Sequence, residues 1–536
     1  MTTAPAPAPK SVFVRDATGL VRAFRWYDAL ILSLAVTGPT YFGIASQIGY
    51  VSPNVPGADF TTSAAIGLLF MIPLGVVYYL FAVSMPRSGG DYVWIGRAIH
   101  PVLGFVGGWA MFISFIFLLA GVGAPTWASV VVPVFDVTTG YTWHNPGLVS
   151  YASSFTTNTV FEYGLLLLIL GTLITVFGPK VYSRIMLFLA VIIFLGTFIF
   201  IGIAATTSPS TFSNAFNTFT STNGLNATYT SIISNAGAAG WTFQPITTAL
   251  TLASVPFGVL LFNGFNYSVY VSGEMKDVRR SMLWGVLLAL LICGIIDVIG
   301  LYFGVKMIGY EFNQAAFFLF GKGSSAWPFP GVSPWIALFT PMVISNGYLS
   351  TFVQLGWLLF FVWWAGALIL AISRYVFAFS FDRVLPTALA DVNQRLHFPL
   401  KATVLTLGIG IFFLIDFTYL NTYLVATLNT TAIWAVVWVI VGLAAIVFAV
   451  KKKDMAKQLP GGPTLLIIFG SLSMLAMGAT FYFAATNAAI GPFTGAAQGL
   501  LIGIFISGLV IYAISYYYHK GKNINLDMVL KEIPPE

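Results

Sequence analysis

The sequence predicts an all-α integral membrane protein with twelve transmembrane helices. Three observations carry this expectation. Hydrophobic residues fill 58% of the 536 positions and charged residues only 8%, with a mean hydropathy of +0.88, whereas soluble domains carry about 25% charged residues. The apolar residues gather into runs of the roughly 20 residues that a bilayer crossing needs. The basic residues are confined to alternate connections between those runs.

Taken in order, the chain opens on a Pro/Ala tail, MTTAPAPAPK, and a basic stretch with Arg15, Arg22 and Arg25. This 1–26 segment reads as a cytoplasmic tail. Helix 1 follows at about 27–50 and reads as a retained helix, not a cleaved signal. Helix 2 is expected at about 62–85, and the polar connection MPRSGGDYVWIGRAIHP leads into helix 3 at about 101–123. A Pro/Thr/Ser-rich stretch then runs to about 159, before helix 4 at about 160–178 and helix 5 at about 183–205. Residues 206–242, rich in Ser, Thr, Asn and Gly, read as an extracellular loop. Helix 6 is expected at about 243–272, helix 7 at about 282–306 and, after another long connection, helix 8 at about 345–379. Helices 9 to 12 are placed at about 401–417, 424–450, 464–486 and 496–518, and a cytoplasmic tail at about 519–536.

With the N-terminus in the cytoplasm, alternation places every one of the 24 lysines and arginines on the inner side except Lys306 and Lys322. That agrees with the positive-inside rule and puts both termini in the cytoplasm. The same count supports the segmentation, because dropping one helix would scramble the pattern. The net charge of +7 therefore reports cytoplasmic loops, and no nucleic-acid partner is expected. The single Cys293 excludes an intrachain disulfide and a cysteine metal site. His100, His144, His397 and His519 are dispersed, and no HExxH, phosphate-binding loop or nucleophile elbow occurs. The chain therefore reads as a non-enzyme without cofactor or metal.

Two of the apolar runs are interrupted. Pro256 to Arg280 contains Asn263-Gly264-Phe265-Asn266, and helix 1 contains Thr37-Gly38-Pro39-Thr40. Amides beside a glycine at bilayer depth need partners, and freed backbone is tolerated there only where it lines a cavity. Paired broken segments in the two halves of a membrane chain point to the binding site of a secondary transporter. Asp297, within helix 7, is an intramembrane carboxylate and so a candidate proton or cation site.

Pro86-Arg87-Ser88-Gly89-Gly90-Asp91-Tyr92 followed by Gly104-Phe105-Val106-Gly107-Gly108-Trp109 resembles the helix 2–3 signature of the amino acid–polyamine–organocation transporters. Glu274 to Arg280 after helix 6 is similar to their acidic–basic run. Ser373-Arg374-Tyr375, the run Phe381 to Pro386, and His397-Phe398-Pro399 resemble the end of their helix 8 and the entry to helix 9. The resemblance implies a 5+5 inverted repeat, residues 27–205 and 243–450, with discontinuous helices 1 and 6 at the midplane. Helices 11 and 12, within 451–518, are then additions. It implies a plasma-membrane permease for a small molecule, an amino acid by expectation, with a polyamine or other organic cation transporter or exchanger as the alternative and a channel as the more remote one. It also implies that Thr37, Gly38, Pro39, Thr40 and Tyr41 on helix 1, with Phe262, Asn263, Gly264, Phe265 and Asn266 on helix 6, bind the substrate. Phe262 or Phe265 would cover the substrate as a gate. Pro39 departs from the small, Gly-rich pattern of the family, and removes a backbone donor that the Thr37 and Thr40 hydroxyls would replace. The coupling ion that the resemblance implies is H+ or Na+. Helix 5 has no lysine after Arg184 to serve in coupling, which leaves Asp297 for a proton and Ser373 as a candidate sodium ligand.

Overall fold

A computed structural model describes residues 20–420, 430–486, 495–524, 526 and 530. The expected tail before residue 20 and the first turns of helix 10 before Thr430 lie outside the described residues. Among those described, the regular structure is helical, and the only β-pairing is two isolated bridges. Eleven helices are long and apolar enough to cross a membrane: Trp26–Asn54, Phe60–Ser84, Pro101–Thr142, Thr157–Val176, Pro179–Thr206, Val278–Ile308, Gly347–Phe381, Leu400–Leu420, Thr430–Lys451, Gly462–Thr486 and Gln498–Lys520. They correspond to expected helices 1 to 5 and 7 to 12. The expected helix 6 is divided into Thr248–Ala253, Val255–Leu261 and a 3-10 segment, Asn263–Glu274, none of which spans by itself.

Two connections differ from expectation. Helix 3 does not stop near residue 123 but continues to Thr142. Pro125 and Pro133 lie within it, and π-helical turns at Phe117–Gly123 and Trp127–Val131 precede them. The wide turns carry the chain past residues that cannot donate to the usual carbonyl. The 206–242 connection is not an irregular loop. It folds into Pro209–Thr222, capped by the Ser208 hydroxyl, and Tyr229–Ala238, capped by Thr228. Phe212 and Phe216 from the first of these pack on Phe312 of a third connecting helix, Tyr310–Gly321, at 5.7 and 5.2 Å. These helices cover the face that carries Lys306 and Lys322.

Helix 1 is broken as its sequence suggests. Trp26–Thr37 ends on Gly38 in the left-handed conformation, φ 68° and ψ 51°, which a residue without Cβ adopts freely. Pro39 cannot continue a helix, and Thr40 caps the second half, Tyr41–Asn54. Helix 6 breaks at Phe262 and resumes in 3-10 turns from Asn263 to Glu274, kinked at Val271, where φ is −112° and ψ 18°. The two breaks meet. A Cβ placed on Gly264 would lie 2.0 Å from the Thr37 nitrogen and 2.2 Å from the Val36 carbonyl carbon, so the backbones of helices 1 and 6 are in direct contact.

The first half of helix 1 and the last half of helix 6 are tied together at their other ends. Phe24 bridges Met275 in parallel fashion: its N–H donates to the Glu274 carbonyl at 3.1 Å, and its carbonyl accepts from Lys276 at 2.9 Å. The Ser268 N–H donates to the Ser33 hydroxyl at 3.2 Å. These contacts join the two half-helices into one unit on the face that carries most of the basic residues.

Candidate functional site

A cavity of about 310 Å³ begins at the two breaks. Val36, Thr37 and Gly38 form its floor on helix 1, and Leu260, Leu261 and Asn263 on helix 6. It rises along Gly43, Gln47 and Tyr50 to Asn54, which is exposed. The cavity thus runs from the breaks toward the face opposite the basic one. Helix 8 supplies Phe360, Phe361 and Trp364, and the π turn of helix 3 supplies Phe117, Leu118, Val122 and Gly123.

The break in helix 1 presents both polarities of backbone. In the first turn of its second half, the Tyr41 N–H donates to Thr197 of helix 5 at 2.9 Å and the Gly43 N–H to the Thr40 hydroxyl at 3.4 Å. Among the described residues the Phe42 N–H has no protein acceptor, so it is the donor of this turn left for a ligand at the positive end of the helix dipole. On the other side of the break the first half of helix 1 ends in carbonyls. The Ser33 carbonyl is occupied by the Thr37 hydroxyl at 2.8 Å and the Leu34 carbonyl by the Gly38 N–H at 2.9 Å. Two side chains on the cavity wall each keep a buried polar atom without a hydrogen-bond partner: Gln47 Nε2 and Asn263 Oδ1. The Asn263 amide nitrogen is engaged, donating to the Leu260 carbonyl at 2.8 Å.

Of the ten residues expected to bind substrate, Thr37, Gly38 and Asn263 line this cavity, and Pro39, Thr40, Tyr41, Phe262, Gly264, Phe265 and Asn266 do not. Thr40 is the cap. Tyr41 turns away to donate to Thr340 at 2.5 Å and packs against Phe200. Gly264 is consumed by the backbone contact, and Asn266 donates to the Tyr270 hydroxyl at 3.1 Å. Phe262 and Phe265 are fully buried, and Phe265 packs on Tyr78. The aromatic wall consists instead of Phe42, stacked on Phe360 at 4.8 Å and edge-on to Phe361 at 4.5 Å. Sequence reading missed Phe42 and Gln47, although their i and i+5 placement just after the break was available as a signal. Trp364 is also on the wall, whereas Trp357 and Trp363 are buried outside it.

Asp297 is wholly buried on helix 7, and neither carboxylate oxygen has a hydrogen-bond partner among the described residues. It stands just behind the cavity: a Cβ on Gly43 would be 3.3 Å from Asp297 Oδ1 and 2.0 Å from the Gly38 carbonyl oxygen. Ser373 is elsewhere, donating to the Leu370 carbonyl at 2.7 Å and accepting from Arg374 at 3.3 Å.

Below the breaks, toward the basic face, the molecule is packed shut. Asp91, on the short helix Asp91–Ala98 between helices 2 and 3, accepts from Tyr375 of helix 8 at 2.5 Å, Tyr78 of helix 2 at 2.8 Å and Tyr270 of helix 6 at 3.4 Å. Its backbone neighbour Tyr92 adds an N–H at 2.9 Å. Beneath it, Arg374 holds Glu274 by two hydrogen bonds, 2.7 and 2.9 Å, again joining helices 8 and 6. Burial pushes the Asp91 carboxyl up to about 6 against these donors. The packed state therefore favours the proton, so acidification from pH 7 stabilises it, and that stabilisation is lost as pH rises past about 6. The expected size is on the order of 2–3 kcal/mol between pH 7 and pH 4. Thermal unfolding of the purified protein and of Asp91→Asn over that range checks it: the stability of the wild type relative to Asp91→Asn should fall as pH rises toward about 6 and level off above it, and parallel pH curves would refute the assignment.

A family model described as amino acid permease matches residues 26–515. The chain is also similar to a protein of Sulfolobus islandicus rod-shaped virus 1 called uncharacterized protein 399, 21% identical over 299 residues that make up 55% of this chain and 59% of that protein. The chain thus spans about three-fifths of the length of this curated relative. With the family model covering nearly the whole helical body, from the first residue of helix 1 into helix 12, the chain belongs to the amino acid permease family of the amino acid–polyamine–organocation superfamily.

Proposed function

We propose that this multi-pass membrane protein is a secondary active transporter that carries an amino acid across the plasma membrane by alternating access. Its termini lie in the cytoplasm, and its helices follow the twelve-helix, 5+5 inverted-repeat plan. The observation that supports it most directly is the cavity at the meeting point of broken helices 1 and 6, with a free N–H on one side and helix-end carbonyls on the other. A carboxylate suits the first and an ammonium the second, without any charged side chain. In this reading Thr37, Gly38 and Asn263 contact the substrate, while Pro39, Thr40, Tyr41, Phe262, Gly264, Phe265 and Asn266 hold the break in shape. The positive-inside orientation makes the basic face cytoplasmic. The conformation is then open outward and closed inward, with the Asp91 and Glu274 clusters as the closure.

Asp297 is the proposed coupling group, a proton or cation acceptor separated from the cavity only by the helix 1 backbone at Gly43. Reconstitution into proteoliposomes with labelled amino acids and imposed H+ or Na+ gradients tests the whole reading, and no uptake of any amino acid would refute it. Asp297→Asn should retain exchange of internal for external substrate but lose concentrative uptake, and full accumulation by this variant would remove Asp297 from coupling.

Gly123 offers a check on the position of the cavity. A Cβ there would lie 2.3 Å from the Trp364 ring, so Gly123→Ala must push that ring toward the ligand. The expected result is a KM for phenylalanine raised about tenfold, with alanine uptake changed far less, as one misplaced group in an apolar pocket costs roughly 10–200-fold. Equal changes for both would place the ligand elsewhere.

A further inference from the structure

The walls of the cavity restrict what it can hold. We propose that the site takes a zwitterionic amino acid with an uncharged, largely apolar side chain, and that Gln47 and Asn263 provide its side-chain polar contacts. This inference rests on the transporter reading above and narrows it to a substrate class.

Four observations carry it. Among the described residues no Asp, Glu, Lys, Arg or His lines the cavity, and the carboxylate of Asp297 is sealed behind Gly43. A second charge on the substrate would be buried against Phe42, Phe360, Phe361 and Trp364 with nothing to pair with it, and an unpaired charge in such surroundings is strongly disfavoured. The aromatic wall is continuous: Phe42 stacks on Phe360, meets Phe361 edge-on, and Phe361 meets Trp364 at 5.6 Å. This surface matches an aliphatic or aromatic side chain. The volume of about 310 Å³ sits at the lower end of small-molecule sites, which span about 300–1,000 Å³, and suits one compact ligand better than an extended polyamine.

Gln47 and Asn263 complete the arrangement. They are 3% and 7% exposed, they face the same cavity from helix 1 and from the helix 6 break, and each has one polar atom without a protein partner. Buried polar groups in native proteins are nearly all paired, so two orphans on one cavity wall mark where a ligand completes the hydrogen bonding. Asn263 Oδ1 lies at the break, beside the carbonyl ends of helices 1 and 6, where the substrate ammonium is expected. Gln47 is four residues beyond Gly43, one turn further up the same wall, at the level of the substrate side chain. A neutral amide there tolerates an apolar or a weakly polar side chain but neutralises no charge.

The test uses the chain in proteoliposomes, with labelled phenylalanine and leucine as probes and with arginine, glutamate and putrescine supplied both unlabelled as competitors and labelled for uptake. The expected result is saturable uptake of both probes, with the three charged compounds competing at least about a hundredfold less well. Uptake of arginine, glutamate or putrescine comparable to phenylalanine would overturn the substrate class while leaving the transporter intact. Uptake of none of the five compounds would overturn both. Gln47→Glu supplies the missing charge and, in protein that remains monodisperse, should improve arginine competition about tenfold relative to phenylalanine. An unchanged competition pattern would exclude Gln47 from the site. Asn263→Asp, whose new charge faces the ammonium that every amino acid carries, should shift arginine and leucine alike.

Discussion

Gly264→Ala is expected to abolish transport. The added methyl carbon would occupy a point 2.0 Å from the Thr37 nitrogen, 2.2 Å from the Val36 carbonyl carbon and 2.7 Å from the Thr37 Cα. All three atoms are backbone, so no rotamer change relieves the clash, and the two broken helices must separate. Ordinary overpacking costs about 1–3 kcal/mol, and a clash with fixed backbone belongs at or above the upper end. Separation would also displace Val36, Thr37 and Asn263, three parts of the cavity wall, so binding should fail even in molecules that remain folded. Gly408→Ala is the control. Gly408 lies in the middle of Leu400–Leu420 with nothing within 4 Å of its added Cβ, and the substitution should leave both melting temperature and uptake unchanged. If Gly264→Ala transported at the wild-type rate, the contact between helices 1 and 6 would not define the site.

How far the sequence foretold this arrangement depends on the kind of signal. Both breaks were legible because each relies on local chemistry: a left-handed Gly38 followed by a proline, and an asparagine–glycine pair inside an apolar run. The identity of the cavity walls was not. Helices 1, 3 and 8 are apolar all round, so hydrophobic periodicity gives no face to choose, and Phe42 or Trp364 cannot be told from packing residues until the helices are placed. Helix 3 was cut short because Pro125 and Pro133 read as breakers, when π turns accommodate them. The helices at Pro209–Thr222 and Tyr229–Ala238 carried readable signals in Ser208-Pro209 and Thr228, but their polar composition outweighed the caps. Asp91 stood out in sequence only as part of a motif. Its three tyrosine partners come from positions 78, 270 and 375, a convergence no local pattern contains.

Breaking the Glu274–Arg374 pair should be the most destabilising polar change in the molecule. Both side chains are almost fully buried, at 3% and 2% exposure, and the geometry is bidentate, with Nε to Oε1 at 2.7 Å and Nη2 to Oε2 at 2.9 Å. The Arg374 guanidinium also stacks over Phe398 at 4.9 Å. Removing one partner strands the other charge in a dry site, at a cost of about 3–5 kcal/mol. Glu274→Leu and Arg374→Met should each yield protein that melts early or aggregates in detergent. The double variant removes both charges and should regain most of the loss, because a buried pair often contributes little over apolar residues of similar volume. Its transport should not recover in parallel. The pair joins the second half of helix 6, itself bridged to the start of helix 1 through Phe24 and Met275, to helix 8. Under the proposed alternating-access cycle that junction would open and re-form, and apolar replacements would change the balance between the two states by whatever the pair contributes differently to each. Asp391→Asn is the contrast: its ion pair with Lys401 is more than half exposed, and such pairs are worth about 0–1 kcal/mol. A double variant with wild-type stability and wild-type concentrative uptake would show that the pair is only a fastening of the fold, and that closure toward the basic face rests on the tyrosines around Asp91.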